Sequence, residues 1–83
     1  MNKIINGKRY DTEKAERIGA GPVYEGLRDT LYRKRSGEYF YHLTREDGVE
    51  AITPATLPGA IKWARQYLSP AEYAAAFGPE ASP

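Results

Sequence analysis

Thr30-Leu31-Tyr32-Arg33-Lys34-Arg35-Ser36-Gly37-Glu38-Tyr39-Phe40-Tyr41-His42-Leu43-Thr44-Arg45 is the stretch on which the fold turns. Two runs rich in aromatic residues flank a polar break at 34–38, the pattern of a β-hairpin. Gly37 suits the left-handed position of a bulged three-residue turn. That turn sets the register, and register sets the faces. Leu31, Arg33, Tyr39, Tyr41 and Leu43 share one face, which reads as the core side. Tyr32, Lys34, Phe40 and His42 share the other. This second face is expected to be a partly exposed aromatic and basic surface unless a helix covers it.

Downstream, Glu46-Asp47-Gly48 signals a turn, and residues 49–52 are expected to form a short third strand ending before Pro54. Two helices should follow. The first enters near Pro58 and carries Ala60, Ile61, Ala64 and Leu68 at three- and four-residue spacing, with Trp63 and Tyr67 alongside. The second has a complete start signal in Ser69-Pro70-Ala71-Glu72: a hydroxyl N-cap, proline at the first helical position and a glutamate three residues after the cap. Tyr73, Ala76 and Phe77 supply its apolar stripe, and Gly78-Pro79 stops it. Residues 80–83 are expected to be a disordered tail.

Upstream, Asn6-Gly7 between short β-prone runs predicts a tight hairpin, because a type I′ turn needs positive φ at both central residues. Asp11 or Thr12 can then cap a short helix over residues 13–18, with Ala15 and Ile18 on one face and Glu13 four residues before Arg17. Gly19-Ala20-Gly21-Pro22 would end it, and residues 23–29 read as a loop or an irregular approach to the next strand. The expected architecture is α+β. Two antiparallel hairpins are separated by a short helix and followed by two helices packed on the sheet, in one domain over residues 1–79.

A chain of 83 residues leaves no room for two independent cores. Without cysteine there is no disulfide, thiolate metal site or cysteine nucleophile. Twelve basic against eleven acidic side chains give a net charge of +1, which argues against both a nucleic-acid mimic and a strongly basic nucleic-acid protein. Charge-driven function must then come from local clustering. No apolar run approaches the roughly 20 residues needed to span a bilayer, and the polar start lacks the apolar segment of a secretory signal. The expected setting is the cytoplasm, with no membrane partner; composition does not fix an oligomeric state.

Signals for catalysis are sparse. His42 is the only histidine, and Glu46 or Asp47 could orient it as a base. A lone histidine in an aromatic strand is more often a packing residue, and the geometric tests for a catalytic base are demanding. Ser36 and Ser69 are explained by a turn and a cap. Gly19 and Gly21 follow a helix signal rather than open one, contrary to a phosphate cradle. No cofactor or metal is expected, and the chain reads as non-enzymatic. The functional signal that remains is Arg28, Arg33, Lys34, Arg35 and Arg45 interleaved with Tyr32, Tyr39 and Tyr41. Tyrosine and arginine are typical interface anchors, and basic side chains beside stacking surfaces also suit nucleic acid. The competing explanation is a hairpin tip whose charges blunt a sheet edge.

Residues 3–12 (KIINGKRYDT), residues 31–40 (LYRKRSGEYF), residues 64–68 and Ser69-Pro-Ala-Glu-Tyr73 with Phe77-Gly78 resemble a family of small proteins carried on plasmids, phages and integrated elements of bacteria. The likeness covers most of the chain in order. Similar small proteins of such elements include anti-CRISPR inhibitors. The resemblance therefore implies an anti-defence protein that binds a host Cas effector and sterically blocks nucleic-acid recognition or cleavage. The chain departs from the family in having a short turn at 46–50 in place of a longer Gly- and Ser-rich insertion. Its alanine- and arginine-rich C-terminal half replaces acidic helices, so an acidic-mimic mechanism does not carry over. On this reading Tyr32, Arg33, Lys34, Arg35, Tyr39 and Tyr41 are the partner contacts. The alternative is a nucleic-acid-binding accessory or regulator of a mobile element using the same hairpin.

Overall fold

The computed structural model describes residues 1–78; Pro79 and the expected tail at 80–83 lie outside the described residues. The chain opens with the predicted hairpin, β1 (Asn2–Ile5) and β2 (Lys8–Asp11). Asn6 and Gly7 both take left-handed conformations, at φ 51° and 77°, which is what a two-residue turn between twisted strands requires. Its open end is closed by Thr12, whose amide donates to the Met1 carbonyl while its hydroxyl accepts from the Met1 ammonium at 2.8 Å.

A four-stranded antiparallel meander follows: β3 (Glu16–Ala20), β4 (Leu27–Arg33), β5 (Tyr39–Arg45) and β6 (Glu50–Ala55), in spatial order β3-β4-β5-β6. The central register, Leu31 opposite Tyr41 and Arg33 opposite Tyr39, assigns the two faces as the hairpin turn predicts. At that turn the Lys34 amide donates to the Glu38 carbonyl and Gly37 sits at φ 94°.

Three local expectations are corrected. No helix forms at 13–18, where residues 16–20 are strand β3. The capping signal is genuine, since the Asp11 carboxylate accepts from the Glu13 amide at 2.9 Å and the Asp11 carbonyl accepts from Ala15 at 3.0 Å. It stops after one turn because so short a helix gains few bonds for the cost of nucleation, whereas the β4 edge offers a ladder from Glu16 to Ala20. A bulge at Ile18 turns that side chain toward the helices. The third strand does not stop before Pro54 but continues to Ala55. The Arg45 amide donates to the Val49 carbonyl, so hydrogen-bonded pairs alternate from that point. Phe40 and Pro54 then face each other in a non-hydrogen-bonded pair. The Pro54 nitrogen points to the open edge, where its missing N–H costs nothing. Within 23–29, finally, Tyr24 and Leu27 close a tight turn, and β4 is already regular from Leu27.

Two C-terminal helices, α1 (Leu57–Tyr67) and α2 (Pro70–Phe77), cover the Leu31 face. Thr56 caps α1 through its hydroxyl, and Ser69 with Glu72 forms the full capping box of α2. Ala60 and Ala64 are completely buried; the small side chain of Ala60 lets α1 lie close on Leu31 and Tyr39, and Ala64 packs with Leu68 and Tyr73. Leu68 and Tyr73 complete the inter-helix core. A Cβ on Gly19 would lie 2.5 Å from the Leu68 Cδ2 atom, so β3 and the α1–α2 junction meet at a position that favours glycine.

The opposite face is covered by the β1–β2 hairpin rather than by a helix. Tyr10 meets Phe40 edge-on, with ring centroids 5.4 Å apart, and Ile52 completes this second cluster. Phe40 is fully buried as a result. The hairpin therefore turns the Tyr32 and Phe40 face into core instead of an exposed aromatic surface.

Candidate functional site

The six residues expected to make partner contacts divide by strand alternation. Tyr39 is buried and stacks on Phe77 at 5.7 Å. Tyr41 packs against Trp63 at 5.8 Å, and burial together with the nearby Asp29 charge pushes its phenol upward. On the other face Tyr32 stacks nearly parallel on Phe40, at 5.2 Å and 8°. Arg33 donates from Nε and Nη2 to the Glu16 carboxylate and from Nη1 to the Ala76 carbonyl at 2.7 Å. It thus ties β3 and β4 to the last turn of α2, where a cation also complements the helix dipole. The Glu16 carboxylate raises the Arg33 guanidinium, with Tyr39 adding to it. These four side chains hold the fold together. Lys34 and Arg35 remain at the hairpin tip, half-buried and exposed respectively.

The tip belongs to a basic end that draws on three parts of the chain. Arg9 from β2, Lys14 from the turn after it, and Lys34 and Arg35 from the β4–β5 turn line one depression of about 280 Å³. Asp11 is the single carboxylate in that lining, and it is engaged with the Glu13 amide. A second hollow of about 510 Å³, lined also by the Glu16–Arg33 pair, continues past Lys14, Lys34 and Arg35 toward Gly37.

Lys34 is the positioned member of the group. Its ammonium lies 4.5 Å from the centroid of the Tyr10 ring and 3.3 Å from Glu38 Oε1, so a cation–π contact and an ion pair fix it together. Glu38 is also held by Lys8 at 2.7 Å and Ser36 at 3.0 Å. Those donors, Lys8 foremost, hold its carboxyl down from 4.5 to about 2, and the same contact raises the Lys8 ammonium. Glu38 therefore locks the turn from its outer side, while Arg9, Lys14 and Arg35 ring the depression.

Arg9 and Lys14 were not among the expected contacts. Their basic character is visible in the sequence, but they join Lys34 only because the β1–β2 hairpin folds over the sheet. Arg28 and Arg45, grouped with the hairpin cations in the sequence, lie at the far end of β4 and β5, and Arg45 pairs with Asp47 at 2.7 Å. His42 meets Glu50, rather than Glu46 or Asp47, at 2.7 Å across β5 and β6. That pair tethers the edge strand beside Tyr32, whose ring centroid is 6.2 Å from the imidazole.

Among the described residues no group of three or more His, Asp or Glu side chains could hold a metal ion. Nor, among the described residues, is any helix long and apolar enough to cross a membrane. No protein family, curated protein or solved structure matches the chain.

Proposed function

We propose that this chain is a non-enzymatic binding protein that engages an anionic macromolecular surface through its basic end. The carrying observation is the convergence of Arg9, Lys14, Lys34 and Arg35 on one depression in a chain whose net charge is only +1. Clustering of this kind focuses a field that average composition does not predict. In its full form the proposal is an anti-defence protein of a mobile element, an inhibitor of the anti-CRISPR kind. Its partner is a host Cas effector, and its mechanism is steric occlusion. The sequence resemblance supports that setting, and the rigidly held Lys34 supplies a preorganised anchor with Arg35 beside it.

The test is transformation by a CRISPR-targeted plasmid in strains carrying different active systems, with and without the protein. Rescue in one system, lost in an Arg9→Glu, Lys14→Glu, Arg35→Glu variant that stays folded, is the expected result. No rescue in any strain with expression verified, or full rescue by the variant, refutes it.

A second reading, a nucleic-acid-binding accessory or regulator, is favoured by the same ring of cations, which suits phosphate groups. Salt separates the two. Phosphate binding falls steeply as salt rises because counterions must be released, while a packed protein interface loses far less.

A further inference from the structure

The end of β4 opposite the basic tip carries a concavity of different chemistry. Trp63 and Tyr67 from α1, Leu43 from β5, and Tyr24 from the turn before β4 line a groove of about 310 Å³ together with Asp29. Trp63 and Tyr67 meet at 5.3 Å and 57°, and the Trp63 ring lies against Gly21, where a Cβ would approach its Cζ2 atom to 3.1 Å. Gly21 is fixed in turn by donating to the Asp29 carbonyl at 2.8 Å.

Tyr24 is 72% exposed, yet its backbone is rigidly placed. Its amide donates to the Leu27 carbonyl and its carbonyl accepts from the Leu27 amide, at 2.8 and 2.9 Å. Glu25 between them takes a left-handed φ of 51°, which non-glycine residues rarely adopt. The Glu46 amide braces the turn by donating to the Gly26 carbonyl at 3.0 Å. A large aromatic side chain is thus held in solvent at the lip of an aromatic groove.

The Asp29 carboxylate is the second, independent observation. It lies on the α1 side of β4, opposite Leu43 in register. It receives no hydrogen bond and no ion pair among the described residues, and partial burial pushes its carboxyl upward. Arg28 also lines the groove, but its position alternates to the other face of β4 and it is exposed, and among the described residues it makes no ion pair with Asp29. A partly buried carboxylate without an ion pair, in a groove also lined by Trp63, Tyr67 and Tyr24, is complementary to an organic cation. Ring quadrupoles attract cations as the carboxylate does. The planar guanidinium of arginine can stack on an indole while donating in a fork to a carboxylate, a combination that the spherical ammonium of lysine cannot reproduce.

We propose that the groove between α1 and the 24–27 turn is a recognition site for an arginine side chain presented by a partner protein, with Asp29 as its counter-ion and Trp63, Tyr24 and Tyr67 as its aromatic walls. The site lies at the opposite end of the sheet from the cation cluster and has the opposite charge preference. It stands independently of the polyanion reading.

The test is a titration of the isotope-labelled full chain with Nα-acetylarginine amide, its neutral citrulline analogue and the lysine analogue, read by amide and indole chemical shifts. Arginine should shift Gly21, Asp29, Tyr24 and the Trp63 indole, saturating on the order of 1 to 10 mM, as befits one isolated side chain. Citrulline should bind at least about tenfold more weakly, and so should arginine to Asp29→Asn, because each removes the charged hydrogen bond. Tyr24→Ser, at an exposed site whose loss leaves the core intact, should weaken arginine as well. Equal shifts with citrulline, undiminished binding to folded Asp29→Asn, lysine binding as tightly as arginine, or no shifts in the groove would each overturn the assignment. None of these outcomes bears on the basic end, where Asp29→Asn should leave any polyanion binding intact.

Discussion

Replacing Tyr10 by alanine tests whether the β1–β2 hairpin is part of the core. Tyr10 is only 4% exposed, meets Phe40 edge-on at 5.4 Å and lies under the Lys34 ammonium. Truncating a buried aromatic side chain costs about 3–5 kcal/mol, and the lost ring pair falls within that figure. A domain of this length has about 4–12 kcal/mol of stability in all. At roughly 4–8 °C per kcal/mol for a small domain, Tyr10→Ala should melt at least about 12 °C below the parent. Tyr10→Phe keeps the ring and should stay within a few degrees. Thermal melts followed by far-UV circular dichroism give both values. A Tyr10→Ala variant melting within about 4 °C of the parent would refute the reasoning, because the hairpin would then contribute no packing to the Phe40 face.

Ser69→Ala removes the hydroxyl half of the α2 capping box and should lower stability by about 1 kcal/mol in a denaturant titration. Arg33→Ala should loosen α2 as well as β3, since its guanidinium reaches both Glu16 and the Ala76 carbonyl; hydrogen exchange should accelerate in residues 70–77 more than in β5. For Glu38, whose folded carboxyl lies below the usual 4.5 at about 2, the stabilisation is fully present above the unfolded value. It fades as pH falls from about 4.5 toward 2. Glu38→Gln should therefore flatten that part of the stability profile and leave the slope at neutral pH unchanged.

Features fixed by short-range chemistry were the ones legible in the sequence. The Asn6-Gly7 turn, the Gly37 bulge and the Ser69–Glu72 box each need only a few consecutive residues, and each forms as read. Strand β3 was hidden because its local signal is a true cap at Asp11. The competing β4 edge, which prevails, is a long-range partner that a window around residue 13 does not contain. Pro54 misled for a related reason, since proline is excluded from strands except where its nitrogen faces an open edge, and β6 is such an edge.

The candidate site was half legible. Lys34 and Arg35 stand where the hairpin tip implies, but interleaving tyrosines with cations along a strand sends alternate residues to opposite faces. Tyr39 and Tyr41 consequently went to the helices and Tyr32 to Phe40. Arg9 and Lys14 enter the site only once Tyr10 has docked on Phe40, a contact that no spacing rule encodes.

On the proposed function, binding to anionic surfaces rests on the cluster around Lys34 rather than on net charge. The most direct measurement is the salt needed to elute the protein from an immobilised polyanion, comparing two charge reversals of equal net charge. One carries Arg9→Glu, Lys14→Glu and Arg35→Glu; the other carries Arg17→Glu, Arg28→Glu and Lys62→Glu at exposed positions outside the cluster. The first should elute at markedly lower salt than the second. Elution of both at the same salt would contradict it, because binding would then follow total charge and the basic end would have no special role.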